Sequence, residues 1–168
     1  MRGRSVGTAV VLGTALGIAL TGCGVPSTGV IGAGEPASGP TRGMRLYYAS
    51  ADGLRGVPVL DRKVEDLNGV LKLLGQDPPP PEQNGGLTSL VHLGGYSATG
   101  TGTHVTVHID GPYTEAEHDQ GTGQVVCTLA RAQSVLEPKV RSDDVEVTLR
   151  PSGSAVLGPY RCAEFLSR

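Results

Sequence analysis

Four histidines, His92, His104, His108 and His118, and three cysteines, Cys23, Cys127 and Cys162, are the side chains best suited to metal, nucleophilic or acid–base chemistry. His104 and His108 lie on one face of the alternating segment THVTVHID, where a strand would hold them about 13 Å apart. No single ion bridges that span without a sharp bend, and no cysteine or carboxylate cluster at zinc spacing joins them. They read as solvated strand histidines. His118 stands beside Glu115, Glu117 and Asp119, a loop group in an acidic patch, with a weak cation contact as the alternative. Ser89, His92 and Asp110 supply the residue types of a hydrolytic triad, yet no nucleophile-elbow sequence surrounds the serine. Gly94-Gly95 and Gly100-Thr101-Gly102 lack the strand–glycine–helix setting of a dinucleotide site and read as hairpin turns. The residues thus assemble no catalytic set, no metal set and no cofactor site.

The cysteines are more informative. Arg2 and Arg4 precede an apolar run from Val6 to Leu20, thinned by Gly7, Gly13 and Gly17. The run is too short for a stable membrane span and has the layout of a secretory signal. It ends in Leu20-Thr21-Gly22-Cys23, which resembles the lipobox of bacterial lipoproteins. That resemblance implies a diacylglycerol on the Cys23 sulfur and cleavage before Cys23, so that residues 1–22 are a signal peptide. Thr21 and Gly22 are small enough to pass a peptidase groove, and cysteine supplies the thiolate to be alkylated. Acyl chains contribute about 0.8 kcal/mol per buried CH₂, so two or three hold a protein durably to a bilayer. The alternatives are an uncleaved anchor, or a secreted protein with a chance cysteine.

With Cys23 acylated, Cys127 and Cys162 form an even pair outside the cytoplasm, where disulfides persist. Cys127 is two residues from both Val125 and Leu129, so a helix places it nearly opposite their apolar stripe. A tail returning across that face, with Ala155, Val156, Leu157 and Tyr160 as cover, would bring Cys162 within reach. Closing a loop of about 35 residues stabilises by about 3–4 kcal/mol in the chain-entropy model. Free thiols, or pairing with another protein, are the alternatives.

The elements that must position these residues follow from periodicity. Residues 24–43, GVPSTGVIGAGEPASGPTRG, carry no apolar period and read as a flexible linker. MRLYYA, Met44 to Ala49, predicts a strand, Asp52-Gly53 a turn, and Val57 to Leu60 a short strand that is at an edge or irregular because Pro58 cannot donate to a ladder. Val64, Leu67, Leu71 and Leu74 predict a helix over 62–74, capped by Asp61 and closed at Gly75, a position suited to a left-handed cap. Pro78 to Pro81 favour extended polyproline, a surface excursion in which helix is not expected. Its functional alternative is a ligand for an aromatic groove on a partner. Leu87 to Leu93 is either a strand or a turn-rich segment. Thr103 to Asp110 is the clearest strand, with Val105, Val107 and Ile109 inward. Val125, Leu129, Ala132 and Leu136 predict a second helix over 122–136, capped by Thr122 and stopped by Pro138; Asp144 to Arg150 predicts a last strand.

These elements imply an α+β fold: a small mixed β-sheet with two helices packed on one face, after a signal peptide and flexible linker. The expected organisation is a signal peptide over 1–22, a lipidated N-terminus and linker over 23–43, a domain over 44–150, and a tail over 151–168 tied to it by the disulfide. With only five tyrosines and one phenylalanine in the chain, the core must rest on valine, leucine and isoleucine.

Residues 44 to about 151 resemble a GerMN domain, the sporulation and spore-germination domain also found in actinobacterial lipoproteins. Arg45-Leu46-Tyr47-Tyr48, with Asp52-Gly53-Leu54 and Val57-Pro58-Val59, resembles its opening strand and hairpin, and Gly86-Leu87-Thr88-Ser89-Leu90 its glycine-leucine-threonine-serine junction. A helix starting near Gln124-Val125-Val126 and a closing strand at Val145 complete the pattern. Cys23-Gly24-Val25-Pro26 and Gly34-Glu35-Pro36-Ala37-Ser38 resemble the mature N-termini of such lipoproteins. The proline-rich loop departs from the family, which often has a leucine- or alanine-rich end to the first helix. The resemblance implies an envelope- or peptidoglycan-linked role and carries no catalytic residues.

The expected function is therefore a membrane-anchored extracytoplasmic lipoprotein, non-catalytic, binding a partner protein or cell-wall component. A cell-wall-acting hydrolase, or a small-solute-binding lipoprotein, are the alternatives. Cleavage removes two arginines and no acid, taking the net charge from −2 to −4, a poor match for nucleic acid, which needs a basic face.

Overall fold

The computed structural model describes residues 43–60, 62–113 and 118–166. The signal segment, Cys23, the linker up to residue 42, Asp61, Glu115 and Glu117 lie outside the described residues.

The chain begins with a hairpin. β1 (Arg45–Ser50) and β2 (Gly53–Pro58) pair antiparallel from Arg45↔Pro58 to Ser50↔Gly53. Ala51 and Asp52 make the turn, and Gly53, at φ 109°, takes a conformation that a side chain would resist. The second strand thus starts four residues before the expected Val57, because so short a turn leads straight back into pairing. Leu46 and Tyr48 are buried. The other edge of β1 is closed by loop and helix: Ala49 exchanges two 3.0 Å hydrogen bonds with Thr88, and the Tyr47 N–H donates to Thr128 Oγ1 at 2.9 Å.

Helix α1 (Leu67–Leu74) is shorter than the expected 62–74. Its cap is Asp66, whose Oδ1 accepts from the Gly69 N–H at 2.8 Å. An acceptor placed directly before the apolar run wins, and residues 62–65 stay outside the helix although Val64 is buried. Gly75 closes the helix at φ −71°, not in the left-handed region, with its N–H on Leu71 O. The proline run corrects the sequence reading further. Pro78 and Pro79 precede α2 (Pro80–Asn84), and Pro80 and Pro81 occupy its first turn. Those positions need no N–H donor, and the ring's fixed φ already suits a helix. Leu87 to Leu93 is neither a strand nor turn-rich: it runs irregularly, with a single bridge from Thr88 to Ala49.

Four strands form the larger sheet, in the order β3 (Gly95–Thr101), β4 (His104–Asp110), β5 (Glu146–Pro151), β6 (Leu157–Tyr160). β3 and β4 are antiparallel, β4 and β5 parallel, β5 and β6 antiparallel. Sequence periodicity missed β3 because GYSATGT buries only Ala98. Of the glycines read as turns, Gly102 (φ 57°) is in the turn, while Gly95 and Gly100 belong to the strand. The parallel step from β4 to β5 needs a crossover, supplied by α3 (Gln120–Leu136). Asp119, not Thr122, caps α3, its Oδ1 accepting from the Thr122 N–H at 2.7 Å.

The fold is α+β, but its strands divide between this mixed sheet and the separate hairpin. α3 does not lie on one face alone: every residue from Gly121 to Ala130 is buried. β1, β2, α1, β4, β5 and α4 (Ala163–Leu166) all pack against it. A helix surrounded in this way loses the polar face that a two-layer arrangement would leave.

Candidate functional site

The disulfide is the first site the structure fixes. Cys127 on α3 and Cys162 between β6 and α4 are bonded, with Cα atoms 4.5 Å apart. Cys127 is buried, so its helix face is covered as the tail argument required. The cover differs from expectation in part: Tyr160 is the expected residue there and Phe165 is not. Tyr160 and Phe165 are buried, whereas Val156 is 53% exposed. The returning tail is itself a strand and a helix, held by β5 as well as by sulfur.

The histidines stay apart. His104 and His108 are exposed on β4; His104 Nδ1 lies 3.7 Å from Glu146 Oε2, and Arg161 takes the other oxygen at 2.7 Å. That contact, led by its hydrogen bond, raises the Arg161 pKa. His92 Nδ1 is 3.1 Å from the Leu90 carbonyl. Ser89 Oγ donates to Leu74 O at 2.6 Å, tying a loop to the end of α1. The hydroxyl thus serves a carbonyl, and the side chain of Asp110 lies against Gly95. His118 stacks edge-on against Tyr160 (5.2 Å between ring centres) and tilts against Phe165 (5.7 Å). It borders a hollow of about 370 Å³ with Asp52, Leu54 and Asp119. Among the described residues no three histidine, cysteine or carboxylate side chains are placed to hold a metal. No described helix is long and apolar enough to cross a membrane.

A second hollow was not foreseen. It lies between the hairpin and the proline segment, about 370 Å³, with Leu46, Tyr48, Val57, Val59 and Leu73 on its apolar walls and Arg62 and Asp77 among its polar ones. A neighbouring hollow of about 310 Å³ shares Val57 and Pro58 and adds Arg55 and Glu82. Between them they form a groove along β2. Burial, and then the Glu82 carboxylate, push the Tyr48 phenol above its ordinary 10.0; Arg62 opposes and Asp77 adds. Glu82 Oε2 is buried and accepts no hydrogen bond from the described residues. The two hollows together are lined by two arginines, Arg55 and Arg62, and two carboxylates, Asp77 and Glu82.

Two side-chain amides, Gln124, which is buried, and Asn68, which is exposed, tie the backbone near these sites, and sequence reasoning overlooked them. Gln124 accepts from the Leu90 N–H at 2.8 Å and donates to Thr88 O at 2.9 Å. Asn68 accepts from Ala98 N–H at 2.7 Å and donates to Ala98 O at 3.3 Å, pairing with one residue of β3 as a neighbouring strand would. Gln124 beside the apolar Val125-Val126 was the available signal. Compared with protein-family models, with curated proteins and with solved structures, the chain matches none.

Proposed function

We propose that the protein is an extracytoplasmic lipoprotein: a non-catalytic, GerMN-like binding module that Cys23 anchors to the outer face of the cell membrane and that engages a partner in the envelope. The disulfide carries the reading. A bonded Cys127–Cys162 pair belongs in an oxidising compartment. The one remaining cysteine directly follows an apolar run with basic residues before it. The chain runs hairpin, two helices, two strands, helix, two strands and helix, which keeps the expected hairpin, first helix, valine-alternating strand, long helix and closing strand in sequence and adds α2, β3, β6 and α4. A binding role is supported by where the chemically capable groups go: Ser89 to a helix end, His118 to an aromatic cluster, Glu146 to its ion pairs.

Expression of the full chain in a bacterium fed radiolabelled palmitate tests the anchor. Wild type should carry label and sediment with membranes; Cys23→Ser should carry none and remain unprocessed. Equal labelling of both chains, or unlabelled wild type, would refute it.

A further inference from the structure

We propose that Asn84 is a site of spontaneous covalent modification: its side-chain amide closes onto the Gly85 nitrogen, and water reopens the ring to aspartate or isoaspartate. Asn68 is held out of the same reaction.

The chain has two asparagines, and glycine follows both, in Asn68-Gly69 and Asn84-Gly85. Asparagine is thermolabile, and a following glycine leaves its own nitrogen unscreened by a side chain. In the reaction the Gly85 nitrogen attacks Asn84 Cγ. A bond from that nitrogen to Cγ forms, the bond from Cγ to Nδ2 breaks, and ammonia leaves with the proton of the attacking N–H. Water then adds to the five-membered imide. Opening at Cγ gives aspartate; opening at the backbone carbonyl gives isoaspartate, whose main chain runs through the side chain. The sum is an amide plus water giving an acid plus ammonia, and nothing is oxidised or reduced.

Exposure does not separate the two asparagines, since both are exposed. Hydrogen bonding and packing do. Asn68 accepts from the Ala98 N–H at 2.7 Å and donates to Ala98 O at 3.3 Å. The nitrogen that would attack it, that of Gly69, donates to Asp66 Oδ1 at 2.8 Å. Freeing both groups unwinds the start of α1, which buries Leu67, Val70, Leu71 and Leu74. Asn84 is the last residue of α2, and its side chain has no hydrogen-bond partner among the described residues. The Gly85 N–H donates to the Pro81 carbonyl at 3.2 Å, at the end of a five-residue helix that buries none of its residues. Opening that helix uncovers no core, so it costs little free energy.

The product changes the segment that forms it. Gly86 N–H donates to Gln83 O at 2.9 Å and Leu87 N–H to Glu82 O at 3.0 Å, so both bonds span residue 84. Isoaspartate adds a carbon to the main chain inside them. Either product also puts a negative charge at the C-terminal end of a helix, where it is disfavoured. The reaction therefore loosens α2, which walls the hollows along β2.

The test holds the full chain in detergent in mildly alkaline buffer, samples it over days, and maps acid-protease digests by mass spectrometry against synthetic aspartate and isoaspartate peptides. Asn84 should convert at least about tenfold faster than Asn68, a ratio that needs only about 1.4 kcal/mol between the two local openings. Both products should appear. In guanidinium chloride the two sites should convert at comparable rates. Gly85→Ala, with its circular dichroism spectrum unchanged, should slow Asn84 and leave Asn68 as it was. Amide exchange at Gly85, Gly86 and Leu87 should quicken in the converted chain. Equal rates in the folded chain, an Asn84 that converts only in denaturant, aspartate without isoaspartate, or no slowing by Gly85→Ala would overturn the proposal. Unchanged exchange at Gly85 to Leu87 would overturn the loosening.

Discussion

Gln124→Leu is the sharpest probe of how the fold is held. The substitution keeps most of the side-chain volume, so the cavity term is small and the change is one of hydrogen bonding. Two bonds disappear, and their consequences differ. The Thr88 carbonyl also accepts from the Ala49 N–H at 3.0 Å, so it keeps a partner and loses only the net value of one bond, about 0.5–1.5 kcal/mol. The Leu90 N–H has Gln124 Oε1 as its acceptor, at 2.8 Å. If it stays in place it bears the desolvation penalty of an unsatisfied donor, about 1–3 kcal/mol. The sum is about 2–4 kcal/mol, a large part of the 5–15 kcal/mol typical of a domain. Urea unfolding of both chains at equal m-value gives the difference directly. If the loop instead opens to let water reach Leu90, the loss is smaller and amide exchange at Leu90 accelerates. A loss under about 1 kcal/mol with Leu90 exchange unchanged would refute the assignment of Gln124 as a clamp.

Three further outcomes follow from the same coordinates. Replacing Cys127 and Cys162 by alanine should lower stability by about 3–4 kcal/mol, the chain-entropy value for a separation of 35 residues; urea unfolding under non-reducing conditions measures it. Gly123→Ala should destabilise by about 1–3 kcal/mol, because the new methyl meets Phe165 Cδ1 at 2.7 Å and Leu54 Cδ1 at 2.8 Å. Improvement on propensity alone would be about 1 kcal/mol in the opposite sense, so the sign of the change in melting temperature decides. The Tyr48 phenol, raised above 10.0 by burial and by Glu82, should hold its proton in the folded state at a pH where the unfolded chain has lost it. Stability contributed by this group is then intact below pH 10 and falls as pH rises beyond it; urea midpoints from pH 9 to 11 should decline, and a flat profile would contradict the shift.

Strong periodicity made most of this fold legible. The alternation of Val105, Val107 and Ile109 placed β4, and the spacing of Val125, Leu129, Ala132 and Leu136 placed α3. Residues whose structural role depends on distant partners were not legible. β3 reads as turns because its glycines and small polar residues form a strand only between β4 and Asn68. Pro80 and Pro81 read as helix breakers because interior helix was the reference, although a first turn accepts both. Asp119 and Asp66 displaced the expected caps by lying nearest the true helix starts. The pairing of Cys127 with Cys162 was legible from the count and the compartment, but the strand that carries Cys162 inward was not. Nor was the groove, since it joins Tyr48, Val57 and Glu82, whose nearness depends on how the hairpin meets α2.

The distribution of burial separates a fixed frame from a looser surface. α3 is enclosed, and its buried polar groups fix what surrounds it: Thr128 holds β1, Gln124 the 88–90 loop, and Gln133 the β3–β4 turn through Gly102 O at 3.0 Å. The disulfide ties the last strand and helix to the same core. The walls of the groove are built otherwise. No residue of β2 or α2 is fully buried, and α2 is fastened through Pro78, whose carbonyl accepts from Gln83 Nε2 at 2.7 Å. Elements with few buried contacts open at small free-energy cost while the core stays closed. The hairpin edge and the proline helix can therefore move without disturbing α3. Hydrogen exchange should show that separation as fast amides in 54–57 and 82–85 against slow ones in 124–130; uniform protection across both would refute it.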